Sequence, residues 1–246
     1  MLHYRFAKTI LFSLFFLSSA LSSANIGLLV VATGKYVHFV PPLIQSAREH
    51  FCKEHQITYF VFTDGILEPA SDVVQLYQTK VPWPYATMMR YHAYASYRDV
   101  FSQQDYLFAC DADMLFVDTV GSEILGDRVA TLHPGFIGKR GSYETNPIST
   151  AYISDQEGEF YFAGGFYGGT VKEFLHIIDT NIHNIEIDLS RQYIAVWHDE
   201  SHWNRYCIDC PPTLILYPAY LYPESWVLPY PRKLLALDKN HAEYQQ

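Results

Sequence analysis

Ile26-Gly27-Leu28-Leu29-Val30-Val31-Ala32, running into Thr33-Gly34-Lys35-Tyr36, decides how the rest of the chain is read. Seven residues are apolar or small without alternation, and the run stops at a Thr-Gly turn. Continuous apolarity at strand length marks a strand covered on both faces, as in a parallel sheet packed between helices. Working outward, Leu43 to His50 reads as a helix. Ile57-Thr58-Tyr59-Phe60-Val61-Phe62-Thr63 then repeats the buried-strand pattern before an Asp64-Gly65 turn. Val73 to Gln78 reads as a short third strand, Met88 to Phe101 as a helix, and Tyr106-Leu107-Phe108-Ala109-Cys110 as another buried strand. Strands alternating with helices specify an α/β domain with a mainly parallel sheet. Ligands in such sheets bind at the carboxyl ends of the strands.

The second half is more irregular. Helices are expected from Thr170 to about Asn184 and from about Ala195 to Tyr206, and the tail is punctuated by six prolines between Pro211 and Pro231. No internal repeat or linker divides the chain, so one domain with an elaborated second half is expected. Charged residues make up 17% of the 246, against about 25% in an average soluble domain, while 49% are hydrophobic and 16% aromatic. That composition excludes a mainly disordered chain. A net charge of −9 argues against binding a nucleic-acid polymer, which calls for a basic face.

Residues 1–24 read differently. Arg5 and Lys8 precede an apolar run from Thr9 to Leu17, and small residues follow, with Ser22 and Ala24 at the −3 and −1 positions of a cleavage site. This is the pattern of a secretory signal peptide. A short membrane anchor is the alternative, although the run is brief for about 30 Å of hydrocarbon. The expectation is therefore an exported or membrane-associated protein whose folded domain spans 25–246. No Asn-x-Ser/Thr sequon occurs, which fits a bacterial cell envelope better than a eukaryotic secretory lumen. Cys207-Ile208-Asp209-Cys210 has zinc-like spacing but no second pair, so the four cysteines read as structural or incidental thiols.

Three constellations carry chemistry. Asp111-Ala112-Asp113 leaves the end of the strand Tyr106–Cys110, where a turn can bring both carboxylates to one hard divalent cation. A solvated acidic turn has the same residues. Trp197-His198-Asp199-Glu200-Ser201-His202 places two histidines four apart, yet Glu200 fits neither register of a zinc protease motif. Its carboxylate pair suits sugar chemistry instead. Gly164-Gly165 and Gly168-Gly169 fit no dinucleotide or P-loop pattern and read as a tight turn or a pocket wall.

In order along the chain, these segments resemble a known family. Val31-Ala32-Thr33-Gly34-Lys35-Tyr36, Thr87-Met88-Met89-Arg90-Tyr91 and Asp111-Ala112-Asp113-Met114 come first. Thr131-Leu132-His133-Pro134-Gly135-Phe136, Ala151-Tyr152-Ile153 and Gly158-Glu159-Phe160-Tyr161 follow, then the Trp197–His202 run and Lys239-Asn240-His241. The set is similar to family 6 of the retaining glycosyltransferases, which contains the histo-blood group A and B transferases and α-1,3-galactosyltransferase, and suggests a bacterial-type member.

The resemblance implies a GT-A fold, a UDP-GalNAc or UDP-Gal donor, Mn²⁺ (or Mg²⁺), and retaining α-1,3 transfer to a galactoside or fucosylated galactoside. It implies metal ligation by Asp111 and Asp113, and nucleotide binding by Val31, Ala32, Thr33, Tyr36, Arg90, Ala112 and Lys239 besides those two. It places Arg90, Ala163, Gly164, Gly165, His198 and Asp199 around the donor sugar. His133, Ser142, Trp197 and Glu200 fall on the acceptor side. Glu200 matches the catalytic carboxylate, as nucleophile or as stabiliser of an oxocarbenium-like transition state. Gly165, third in the Ala163-Gly164-Gly165 triplet, matches members that prefer GalNAc, with room expected for the N-acetyl group. Both Asp residues of the Asp-x-Asp motif are kept, so metal dependence is expected. Two rival readings use the same residues: an exported, non-catalytic carbohydrate-binding protein, and a UDP-sugar hydrolase.

Overall fold

Runs of apolar residues become central strands because only two covering layers can bury both of their faces. The computed structural model of the protein describes residues 23–244. Its elements run β1 (Asn25–Val31), α1 (Val40–His50), β2 (Gln56–Thr63), β3 (Val73–Tyr77), α2 (Tyr85–Met88), α3 (Arg90–Ala95), β4 (Tyr106–Cys110) and β5 (Met114–Phe116). They continue through β6 (Arg128–Leu132), β7 (Phe162–Thr170), α4 (Val171–Ser190), α5 (His198–Asp209), β8 (Leu214–Leu216), β9 (Tyr222–Pro223), β10 (Leu234–Ala236) and α6 (His241–Tyr244).

Seven strands form the central sheet in the order β3-β2-β1-β4-β7-β6-β8, and β5-β10-β9 form a small second sheet. Four of the six central pairings are parallel; β7 runs antiparallel to both β4 and β6. The result is a mixed, mostly parallel α/β domain of GT-A type. Alternate residues of β1 serve opposite layers. Leu28 and Val30 pack with Val40, Leu43 and Ala47 of α1. Leu29 packs with Tyr91 and Tyr94 of α3 and with Phe174 and Ile177 of α4. All of these side chains are buried, and each Leu, Val, Ile and Phe among them contributes about 1.5–3 kcal/mol of burial free energy.

The expected helix Met88–Phe101 is broken. Met89 leaves helical geometry (φ −87°, ψ 10°), so α2 ends and α3 restarts at Arg90; a separate 3-10 turn covers Arg98–Phe101. The break makes Arg90 the first residue of α3. The helix expected to end near Asn184 runs on to Ser190 because its buried stripe continues through Ile185 and Asp188. The expected helix from Ala195 starts at His198 instead, after Trp197 with φ −117° and ψ 32°. All four cysteines are free thiols.

The expectation of an exported or membrane-associated protein needs correction. Among the described residues, no helix is long and apolar enough to cross a membrane. The leader reading rests on residues 1–24, of which 1–22 lie outside the described residues.

Candidate active site

The carboxyl ends of β1 and β4 converge on a cavity of about 260 Å³. Of the residues expected to hold a nucleotide, Val31, Thr33, Tyr36, Arg90, Asp111, Ala112, Asp113 and Lys239 line it. Ala32 does not; it is fully buried beneath. Thr87, from the Thr87–Tyr91 segment, also lines the cavity, as do Lys80, Trp83 and Tyr244, which no sequence pattern singled out for it. The Tyr36 ring stands edge-on to Tyr244 at 5.2 Å, and Lys239 Nζ lies 5.4 Å from the Tyr36 ring centre. The tail therefore folds back onto the turn that follows β1.

Beneath the cavity, Arg90 ties three segments together. One guanidinium nitrogen lies 3.0 Å from Asp111 Oδ1 and donates to the Gly164 carbonyl at 3.0 Å. Arg90 Nε lies 2.9 Å from Asp199 Oδ2, an ion pair that is not aligned as a hydrogen bond. Burial opposes the charge on Arg90, but Asp199 and Asp111 outweigh it and hold the guanidinium firmly protonated. Burial raises Asp199 to about 6 even with Arg90 beside it. Asp113 pairs with Lys239, yet burial and the charge of Asp111 still hold its carboxyl above the ordinary range.

These residues fit a divalent cation. Two hard carboxylates leave one strand end, line one cavity and repel each other, a repulsion that a cation would relieve. Among the described residues, no group of three or more His, Cys, Asp or Glu side chains is placed to hold a metal. The remaining ligands would have to be phosphate oxygens and water, which is how Mg²⁺-like ions are usually held.

The glycine-rich segment is a strand with a wide bulge. Ala130 pairs with Tyr167 and Leu132 with Phe162, so four residues of β7 lie between these pairs where β6 has one. The bulge frees Ala163-Gly164-Gly165-Phe166 from the β6 ladder and lets the Gly164 backbone meet side chains, while Gly165 and Phe166 stay bonded to the β4 side. Gly164 N–H donates to Glu200 Oε2 at 2.8 Å while Gly165 accepts from Asp111 N–H at 2.9 Å. The room expected over Gly165 is taken up: a Cβ there would lie 2.6 Å from Leu221 Cδ1 and 3.2 Å from Asp111 Oδ2. Ala163 is buried in the core.

Glu200 stands in the first turn of α5, where unpaired backbone N–H groups favour a carboxylate. Its Oε1 accepts from the Tyr161 hydroxyl at 2.8 Å. Burial nevertheless raises Glu200 to about 7, the Gly164 and Tyr161 donors pulling the other way. Tyr161 is the partner that sequence reasoning missed, since no spacing rule links positions 39 apart. His198 begins α5 with φ 49°, a left-handed conformation costly for a non-glycine residue, and its ring meets Trp83 edge-on at 4.7 Å.

Of the residues expected on the acceptor side, His133 and Glu200 meet at Tyr161, and Ser142 pairs with Trp197. The His133 ring lies 5.6 Å from that of Tyr161 and accepts from Gly135 N–H at Nδ1, and burial lowers the imidazole to about 4. Trp197 Nε1 donates to Ser142 Oγ at 2.8 Å and keeps its ring 48% exposed, three residues before Glu200. Asp111, Asp113, Arg90 and Lys239 thus line one cavity, and Asp199 and Glu200 are tied to it through Arg90 and Gly164.

Comparison with known proteins agrees with this arrangement. The profile of glycosyltransferase family 6 matches residues 6–246. Histo-blood group ABO system transferase 1 of Rattus norvegicus is 37% identical, over 90% of this chain and 68% of its own length. Globoside alpha-1,3-N-acetylgalactosaminyltransferase 1 is 34% identical in Gallus gallus, over 89% and 68%, and 33% identical in Homo sapiens, over 88% and 67%. These relatives are vertebrate and lend nothing to the expectation of a bacterial-type member. With nearly the whole chain matched and its carboxylates assembled at the strand ends, the chain belongs to glycosyltransferase family 6 and is a hexosyltransferase.

Proposed function

We propose that the protein transfers GalNAc, or less readily Gal, from a UDP-sugar to the 3-position of a galactoside, plain or fucosylated, with retention of configuration and with a divalent cation, Mn²⁺ or Mg²⁺. The observation that carries this reading is the Glu200 carboxylate, gripped by Gly164 N–H and Tyr161 O–H and linked through the same bulge to Arg90 and Asp111. A carboxylate fixed in this way beside a donor cavity suits the positive charge that develops on an anomeric carbon as UDP departs. Glu200 acts on that carbon as nucleophile or as electrostatic stabiliser. Arg90 and Lys239 face the charge growing on the diphosphate, and Tyr36 and Thr33 offer a wall for the uridine. Asp111 and Asp113 would hold the cation, which supplies Lewis-acid stabilisation of the leaving diphosphate. Asp199 orients Arg90, and His198 with Trp83 closes the sugar side. His133, Ser142 and Trp197 border the acceptor. The GalNAc preference rests on the match of Gly165 to members that prefer GalNAc and on the N-acetylgalactosaminyltransferases among the relatives, not on open space, since Leu221 fills the room over Gly165.

The test is product analysis with UDP-GalNAc, UDP-Gal and simple galactosides, with Mn²⁺ and with excess EDTA. An α-linked disaccharide, faster from UDP-GalNAc and lost with EDTA, is expected. Free sugar as the sole product would instead assign a hydrolase, glycan binding without turnover a binding protein, and full activity in EDTA would remove the metal.

A further inference from the structure

Asn204 stands one turn beyond Glu200 on α5 and is 1% exposed. Its Nδ2 donates to the carbonyl of Glu200 at 2.9 Å and to that of Phe162 at 2.8 Å, and its Oδ1 accepts from Phe162 N–H at 2.8 Å. The orientation is forced, because turning the amide over would set its oxygen against two carbonyls. The side chain takes both backbone groups of Phe162, as the peptide of a neighbouring strand would.

This clamp lies beside the grip on Glu200. Tyr161 O–H and Gly164 N–H reach the two oxygens of Glu200, each at 2.8 Å, and Phe162 between them reaches Asn204. Two residues of strand rise about 6.6 Å and four of helix about 6 Å, so Phe162 and Gly164 keep step with Asn204 and Glu200. The bulge has freed Gly164 from β6, and its carbonyl accepts from Arg90 at 3.0 Å on the other side. Its hold on α5 therefore depends on the residues next to it.

We infer that Asn204 is a positioning residue for the carboxylate: by clamping Phe162 to α5 it keeps Gly164 N–H and Tyr161 O–H on Glu200. The inference rests on the role given to Glu200 above. Buried as it is, Asn204 touches neither donor nor acceptor and acts only through Glu200. No other side chain of this size serves. An aspartate would turn its charge on the carbonyls of Phe162 and Glu200, and a leucine would leave Phe162 N–H without its partner. Asn181 gives a matched contrast. It is fully buried on α4 and its Nδ2 donates to the carbonyl four residues back, that of Ile177, at 2.9 Å, but among the described residues its Oδ1 has no hydrogen-bond partner.

The test is a double-mutant cycle read as kcat, with UDP affinity from titration calorimetry. Asn204→Ala should lower kcat at least about tenfold, the scale of one hydrogen bond to a charged group, with UDP affinity within about twofold of the unsubstituted protein. In Glu200→Gln the same substitution should lower kcat by less than about twofold further, because groups that act as one unit are not additive. Asn181→Ala should lower Tm about as much as Asn204→Ala and leave kcat within about twofold. An equal loss from Asn204→Ala in both backgrounds, a kcat unchanged by it, or a matching loss in Asn181→Ala would overturn the inference while leaving the transferase reading intact. Unchanged kcat in Glu200→Gln, or no transfer by the unsubstituted protein, would overturn both. Should Asn204→Ala not fold, amide exchange in the unsubstituted protein decides. Phe162 and Gly164 N–H should exchange together and as slowly as the middle of α5, and faster exchange at either would overturn the clamp.

Discussion

At the ends of β1 and β4, side chains hold side chains: Arg90 stands between Asp111 and Asp199, and Lys239 meets Asp113. Between Pro134 and Tyr161, side chains hold backbone instead. Arg140 serves carbonyls, Tyr143 serves Phe160, and Glu144 accepts the N–H groups of Asn146 and Val196. Both regions border Glu200, but they fail differently. A buried charge network collapses when one member leaves, because its partners become unpaired charges. A loop tied by several separate side-chain-to-backbone bonds loses a little with each tie.

The largest contrast should come from removing one arginine on each side. Arg90→Ala leaves Asp111 and Asp199 uncompensated and should cost about 3–5 kcal/mol, read as a fall in Tm of roughly 10 °C. Arg140→Ala should cost about 1 kcal/mol and lower Tm by a few degrees. Equal losses would erase the distinction between the two regions.

A smaller effect is expected at the residue that joins them. Tyr161 donates to the ionised form of Glu200, so Tyr161→Phe leaves a carboxyl that holds its proton more tightly. Its value, about 7 with the donor present, should rise by roughly one unit, since a hydrogen bond to a charged group contributes about 1.5–3 kcal/mol. The active carboxylate then forms at higher pH. The acid limb of kcat/KM should move upward, with activity about fivefold lower near pH 7 and recovering toward pH 9. A loss that is the same at every pH would show that Tyr161 serves only as structure.

The smallest effect concerns donor choice. Gly165→Ala must displace Leu221 and crowd Asp111, and should shift the kcat/KM ratio toward UDP-Gal by about tenfold, the scale of one methyl group. Gly138→Ala, outside the bulge, where the new carbon meets nothing within 4 Å although φ +70° strains it, should leave that ratio alone. A shift in Gly138→Ala equal to that in Gly165→Ala would detach donor choice from the bulge.

The same contrast governs what could be read in advance. β1, β2, β4 and α1 are legible because their apolar runs or stripes need no distant partner to be recognised. β7 was not. Its Gly164-Gly165 and Gly168-Gly169 pairs resemble turns, and the strand exists because β4 and β6 supply ladders on both sides. Gly168 is required there because a Cβ would fall 2.3 Å from the Leu107 carbonyl oxygen. Asp111, Asp113 and Glu200 stand out through local motifs. Tyr161 and Trp83 do not, because their importance comes from contacts made only once the chain has folded.

The most direct test of the central claim is Glu200→Gln, which keeps the size of the side chain and removes its charge. Turnover should fall by at least about 100-fold, the scale of losing a main electrostatic contact to a transition state, while titration calorimetry should give a UDP affinity within about twofold of the unsubstituted protein. Turnover close to that of the unsubstituted protein, or a parallel loss of UDP affinity, would contradict the role given to Glu200.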